Sequence, residues 1–321
     1  MSILDAPLSA RAGPRQTARG SRLEPFFQAL CFAAASALLI ALGGVLISLT
    51  IGGWPALAKF GFRFLTEKTW DPVRDIYGAA GPIAGTLLTS AGALILALPV
   101  AGGVAFFLVE LCPTPLRRPI GTAVELLAGI PSIVYGMWGL FVFAPFFARW
   151  VETPLMTGAR PGSFWETFFS GVPNGSGILA ASIILAIMIL PFMAATLREL
   201  LMTVPAQVRE SAYGLGATTA EVVLRVTLPY VSRGAVGAVM LGLGRALGET
   251  MAVTFIIGNS HDFPKGLFDA GSTIASTIAN EFNEASGMQS AALIALGLVL
   301  FVITFTVLAL ARLLLRSQAR G

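Results

Sequence analysis

The chain has 321 residues, of which 55% are hydrophobic and only 12% are Asp, Glu, Lys or Arg. A soluble domain carries about 25% charged residues, so this content, with a mean hydropathy of +0.80, excludes a soluble enzyme, a disordered regulator and a fibre together. The net charge of +4 does not indicate nucleic acid, because the basic residues form no patch with interleaved aromatics.

What remains is an all-α polytopic membrane protein. An outer-membrane barrel would need polar-in alternation over strands of ~10 residues, which so few charges cannot supply. A helix satisfies its own backbone in lipid, and about 20 apolar residues cross the hydrocarbon. The chain opens with a basic tail, residues 1–24, carrying Arg11, Arg15, Arg19 and Arg22, ahead of a transmembrane domain over 25–315 and a short tail over 316–321. The first span is predicted over 26–51. Ala35-Ser36-Ala37 resembles a leader cleavage site, but the apolar run far exceeds a 7–15-residue leader core, so the span is retained.

The loop 53–81 carries Trp54, Trp70 and Tyr77, which make either an interfacial belt or a docking surface for an outer partner. A second span follows over 82–109, with a kink expected at Pro99. The third is predicted over 124–147, with Glu125 at its start, where the helix dipole favours a carboxylate. Tyr135 and Trp138 within it read as packing or interface residues. The fourth covers 178–197 and contains Pro191. A polar loop over 198–233 leads to a fifth span over 234–258. Residues 259–290 are rich in Ser, Thr, Asn and acid, suiting a short surface or re-entrant helix, and the sixth span covers 291–315. With the N-terminus inside, thirteen Lys and Arg flank the spans inside and seven outside, which favours both termini in the cytoplasm.

Chemistry is mostly absent. The lysines follow Ala58, Glu67 and Pro264, so there is no Walker A loop, and no nucleophile elbow, zincin or dinucleotide pattern occurs. One histidine, His261, and two separated cysteines, Cys31 and Cys112, leave neither a zinc ligand set nor a disulfide framework. The chain is expected to have no catalytic residue, metal or cofactor.

The loop over 198–233 is too polar for a span and too long for a tight turn. Pro205 can open one short helix, Gly214 and Gly216 can end it, and Thr218 or Thr219 can cap a second, with Pro229 at the membrane. Such a helix–glycine–helix knob suits a partner's groove. Glu210-Ser211-Ala212, then Gly216, then Val226-x-Leu228-Pro229 resembles the coupling loop of ABC importer permeases, Glu-Ala-Ala, three residues, Gly, nine residues, Ile-x-Leu-Pro. Ser211 and Val226 are its two departures. In that family the loop sits in a cleft of the ATPase, which assigns coupling to Glu210, Ser211, Ala212, Gly216, Leu228 and Pro229.

Residues 124–136, 242–253, Trp70-Asp71, Ile76-Tyr77-Gly78 and Ala279-Asn280-Glu281-Phe282 are similar to the PstC-type subunits of phosphate ABC importers. The resemblance runs from about Gly53 to Phe305. It implies a type I ABC importer permease fold in the bacterial inner membrane, in contact with lipid. The implied partners are a PstA-type permease, two copies of an ATPase and an outer phosphate-binding protein.

Arg245 and Glu249 fall four residues apart in the fifth span, on one face of a continuous helix. Ala238, Gly242 and Ala246, and Gly244, Gly248 and Ala252, recur around them at a spacing that admits close approach. Two readings stand: an ion pair that braces helices, or a planar fork for an oxyanion, with Glu249 holding it between substrates. Rival functions are a permease for sulfate or molybdate, an ion-coupled secondary transporter using Glu249 as its carrier carboxylate, and a channel, for which no filter sequence is evident.

Overall fold

The computed structural model describes residues 23–158 and 162–317; Arg11, Arg15, Arg19, Arg22, Arg160 and Arg320 lie outside the described residues. Among the described residues, six helical stretches are long and apolar enough to cross a membrane: Glu24–Phe60, Ala80–Leu111, Ser132–Gly158, Ile178–Met202, Thr219–Leu247 and Gly287–Leu313. The elements used below are α1 (Leu23–Phe60), α2 (Ala80–Phe106), α3 (Thr114–Ala128), α4 (Ser132–Trp138), α5 (Ile178–Met202), α6 (Ala206–Gly214), α7 (Thr219–Val222), α8 (Leu228–Leu247), α9 (Met251–Ile256), α10 (Ile274–Glu281) and α11 (Gly287–Ser317).

The chain divides into residues 1–48 and 49–321. In the first part the described residues belong to α1, whose Phe26, Phe32, Leu38 and Ile40 are each more than 60% exposed. Without lipid such a surface would be a large unpartnered apolar patch; in hydrocarbon it is a wall.

The second part is organised around α5, with 67% of its apolar window buried. Its closest neighbour is α2, which contributes Ala93, Ala97, Ala101 and Ala105, all fully buried. Small residues four apart form a flat seam that lets two backbones approach. A Cβ on Gly92 would stand 2.7 Å from Ser182 Oγ. Along α8, Ala238, Gly242 and Ala246 are also buried, and a Cβ on Gly242 would stand 2.8 Å from Met193 Sδ of α5. Pro99 and Pro191 lie inside continuous helices.

Two of the sequence-based spans need correction. The third starts at Ser132, because Val124–Ala128 complete α3, and Gly129-Ile130-Pro131 breaks the chain before α4. Proline disfavours helical backbone at the preceding residue. Glu125 is therefore in the last turn of its helix, where the dipole does not favour it; it instead accepts from Arg198 Nη1 of α5 at 2.8 Å. The fifth span starts earlier, since helix runs from Thr219 to Leu247, and it ends at Leu247 before a separate α9.

Among the described residues, four π-helical turns interrupt or end the helices, Phe107–Leu111, Gly139–Phe143, Ala148–Glu152 and Val223–Thr227. Each ends two residues before a proline: Pro113, Pro145, Pro154 and Pro229. Proline has no N–H and its ring crowds the carbonyl four residues back. Where helix continues through the proline, at Pro145, Pro154 and Pro229, widening the preceding turn relieves that crowding: the N–H groups of Ala144, Thr153 and Leu228 reach back five residues, to Gly139, Ala148 and Val223. The Phe107–Leu111 turn instead ends its helix, with Cys112 N–H reaching back to Phe107 and Cys112 already extended before Pro113.

The loop 53–81 forms neither a belt nor an open docking face at Trp70 and Tyr77. A short hairpin, β1 (Trp70–Asp71) with β2 (Ile76–Tyr77), pairs Trp70 with Tyr77 and turns both inward to 6% and 1% exposure, while Trp54 stays exposed. They join Ala56, Phe64, Ile274, Ala292 and Leu296 in a second core. Trp70 Nε1 and Gln289 Nε2 donate to Glu281 Oε2 at 3.0 and 2.9 Å, and His261 Nε2 approaches Glu281 Oε1 at 3.0 Å. Burial pushes the Glu281 carboxyl up, but the contacts from His261, Gln289 and Trp70 outweigh it and hold it below the ordinary carboxylate range. Within the segment left open as a surface or re-entrant helix, α10 packs inside the fold. Thr273 and Ser276 cap it reciprocally, and Ile274 N–H donates to Thr86 Oγ1 of α2 at 2.9 Å.

Candidate functional site

The loop between the fourth and fifth spans folds as its glycine and threonine positions dictate. Pro205 precedes α6, which ends in a Schellman cap: Gly216 N–H donates to Tyr213 O at 2.9 Å and Ala217 N–H to Ala212 O at 3.1 Å. This closure requires a left-handed residue, and Gly216 has φ +86. The four-residue interval from Ala212 to Gly216 is thus the interval from the third-last helical carbonyl to the capping glycine. Thr218 then opens α7 through a reciprocal capping box with Glu221. Ser211, where the family pattern has Ala, is satisfied within the helix by donating to Gln207 O at 2.7 Å.

The knob exposes polar and apolar side chains alike. Glu210 and Ser211 are exposed, Ala212 is half-buried, and Leu215 at the tip is 90% exposed. Leu228 and Pro229 are exposed at the start of α8, which continues from α7 through a π turn. Arg209 turns inward and meets Glu110 at 3.0 Å, a pairing across 99 residues that the loop's own spacing does not signal.

The second site lies where the fifth span breaks. After Leu247, Gly248 takes φ −93 and ψ 0, and the chain restarts as α9 at Met251. Glycine is a poor helix former, and Glu249 and Thr250 compete for backbone groups: Glu249 Oε1 accepts from Ala252 N at 3.3 Å. Arg245 and Glu249 therefore do not share a face of one helix, and among the described residues Arg245 makes no ion pair. Its Cζ lies 5.7 Å from the centre of the Phe192 ring on α5, half-buried in the last turn of α8, where helix carbonyls favour a cation. The second small-residue row is split too. Gly244 faces Leu308 of α11 and Gly248 is exposed at the break.

The break also brings separate motifs together. A Cβ on Gly136 of α4 would stand 3.0 Å from Ala252 Cα and 3.1 Å from Met251 O, so glycine lets α9 approach there more closely than a larger residue would. Tyr135 Oη donates to Leu127 O at 3.0 Å and bridges the turn between α3 and α4. Among the described residues the resulting site offers a guanidinium without a carboxylate partner, an aromatic face beside it and a kinked backbone, an arrangement whose chemistry suits a small oxyanion.

Residues 101–320 match the family model described as binding-protein-dependent transport system inner membrane component. The chain is 52% identical to the phosphate transport system permease protein PstC of Mesorhizobium japonicum, over 99% of this chain and 98% of that one. It is 54% identical to the protein of the same name from Haemophilus influenzae, over 93% and 96%. Among solved structures, a bacterial ABC transporter involved in the import of the acidic polysaccharide alginate matches with a TM-score of 0.56 at 17% identity, covering 92% of this chain and 99% of that one. The MetNI methionine ABC transporter in an inward-facing conformation matches with a TM-score of 0.52 at 18% identity, covering 76% and 94%. At these identities the structural likeness speaks for the fold.

Proposed function

The chain belongs to the family of binding-protein-dependent transport system inner membrane components, and we propose from that premise how its residues carry the substrate. It is a multi-pass permease subunit of an ATP-driven phosphate importer, working with a second permease and an ATPase. We infer that the second permease is PstA-type, that ATP is hydrolysed on the partner ATPase, and that an outer phosphate-binding protein delivers the anion. Residues 25–315 form the permease domain between two cytoplasmic tails, 1–24 and 316–321.

In this reading Arg245 meets phosphate in a path between the two permeases. Glu249 shapes the break beside Arg245 by holding the start of α9. The knob formed by Glu210, Ser211, Ala212 and Gly216, with Leu228 and Pro229 at its return, docks in the ATPase and passes on its closure. No covalent step occurs on this chain. The observation that carries the reading is the Arg245 guanidinium beside the broken fifth span, free of any ion pair among the described residues. The test is reconstitution of the complete transporter in liposomes with its binding protein, where phosphate should accumulate only with ATP and sulfate or molybdate should not. Accumulation of either of those anions without phosphate would overturn it.

The orientation has both termini in the cytoplasm. With Cys31 and Cys112 replaced by Ala, a membrane-impermeant maleimide should label Val73→Cys on intact spheroplasts and Leu215→Cys only once the membrane is opened. Both positions are at least 90% exposed, so in the subunit expressed without its ATPase partner accessibility reports sidedness. Labelling of Leu215→Cys from outside would reverse the orientation.

A further inference from the structure

We propose that the Glu110–Arg209 ion pair is the linkage through which movement of α6 reaches the translocation path, a role that rests on the phosphate-importer reading above. Arg209 and Glu210 are neighbours on α6, about 100° apart around its axis. Glu210 faces solvent, whereas the Arg209 side chain is 22% exposed and approaches a Glu110 side chain that is 9% exposed. The helix thus has one face for a docked partner and one for its own subunit. Among the described residues, this pair is the polar side-chain contact that joins α6 to another element.

Glu110 sits in the π turn Phe107–Leu111 that closes the second span. The corner after it is stiffened by buried Cys112, by Pro113, and by Arg117 Nη2 donating to Cys112 O at 3.4 Å. A pull on Glu110 therefore moves α2. That helix is seated on α5 through Ala93, Ala97, Ala101 and Ala105, and a close-packed seam passes displacement on without yielding. On α5, Phe192 lies beside Arg245. A continuous physical chain runs from the coupling knob through Arg209, Glu110, α2 and α5 to the anion site. Breaking a half-buried pair leaves its remaining charge without a partner, so a pair that only braced the subunit would affect abundance, whereas a linkage also sets how much phosphate moves per ATP.

The test measures phosphate imported and ATP hydrolysed together, in liposomes holding the complete transporter. Arg209→Gln and Glu110→Gln should each lower phosphate imported per ATP by about tenfold, within the range by which residues along a coupling path alter coupling. Arg209→Lys, which keeps the charge, should stay near the unaltered protein. The exchange Glu110→Arg with Arg209→Glu should restore most of the ratio. If either single variant fails to assemble, the double change Glu110→Gln with Arg209→Gln leaves no stranded charge, and its ratio decides the matter. A normal ratio in an assembled variant lacking the pair would overturn the linkage, as would an assembled exchange variant no better than the singles. Failure of the importer reading itself would appear separately, as absent phosphate import by the unaltered protein.

Discussion

Arg245→Gln abolishes phosphate import while the subunit remains at normal abundance in the membrane. A bidentate guanidinium contact to an oxyanion supplies charge-assisted hydrogen bonds together worth about 3 kcal/mol, so the expected loss is about a hundredfold. Arg245→Lys keeps a point charge but not the planar fork, and should lose about tenfold. The two effects separate from stability because Glu249 bonds to Ala252 N and is not left stranded when Arg245 goes. For the same reason, Arg245→Gln combined with Glu249→Gln should import no better than Arg245→Gln alone. Recovery of uptake in the double variant would show that the two charges act on each other and would end the case for anion contact. Uptake of radiolabelled phosphate, normalised to immunoblotted subunit, distinguishes the outcomes.

The second large effect is expected at Gly216. Its φ of +86 lies in the left-handed region, and a Cβ there would meet nothing within 4 Å, so substitution acts through backbone preference and not through a clash. Left-handed backbone costs an L-residue about 1–2 kcal/mol, and a β-branched residue is a marked outlier there. Gly216→Val should unwind the cap at Tyr213 and Ala212 and shift the exposed Leu215. Import should fall at least about tenfold while the partner continues to hydrolyse ATP and the subunit stays abundant. Asn tolerates the left-handed cap, so Gly216→Asn should retain most import. Equal import by the Val and Asn variants would remove the rigid cap from the coupling mechanism.

Hydropathy made the spans legible because lipid imposes a minimum length that few other structures reach. It could not place the breaks. At Gly129-Ile130-Pro131 and Gly248-Glu249-Thr250 only a few residues leave the helix within a long apolar window, so the averaged signal passes over them. The assumption of continuous helix then placed Arg245 and Glu249 on one face, where the chain in fact turns. The loop between the fourth and fifth spans was readable in detail because its conformation is local: proline, glycine and threonine each fix a backbone state within a few residues. Trp70 with Glu281 and Arg209 with Glu110 join residues 211 and 99 positions apart. No local spacing encodes such pairs, and their burial emerges only once the helices pack.

The π turns give the proline positions a meaning for sequence length. A five-residue reach stores one residue more than an ordinary turn at nearly the same axial advance. Between Gly216 and Pro229 the chain therefore holds one residue that an α-helix would have no room for, lodged in Val223–Thr227. The interval between the two is a ruler whose graduation depends on its final mark: take away Pro229 and the crowding that favours the wide turn goes with it. A chain that lost this proline in evolution would be relieved by a deletion of one residue just upstream, which would keep Leu228 and everything beyond it facing as it does now. Substitution and deletion at the three places where helix continues through the proline should travel as a pair, and an alignment that treats them as independent would misplace the helix faces of the spans they border.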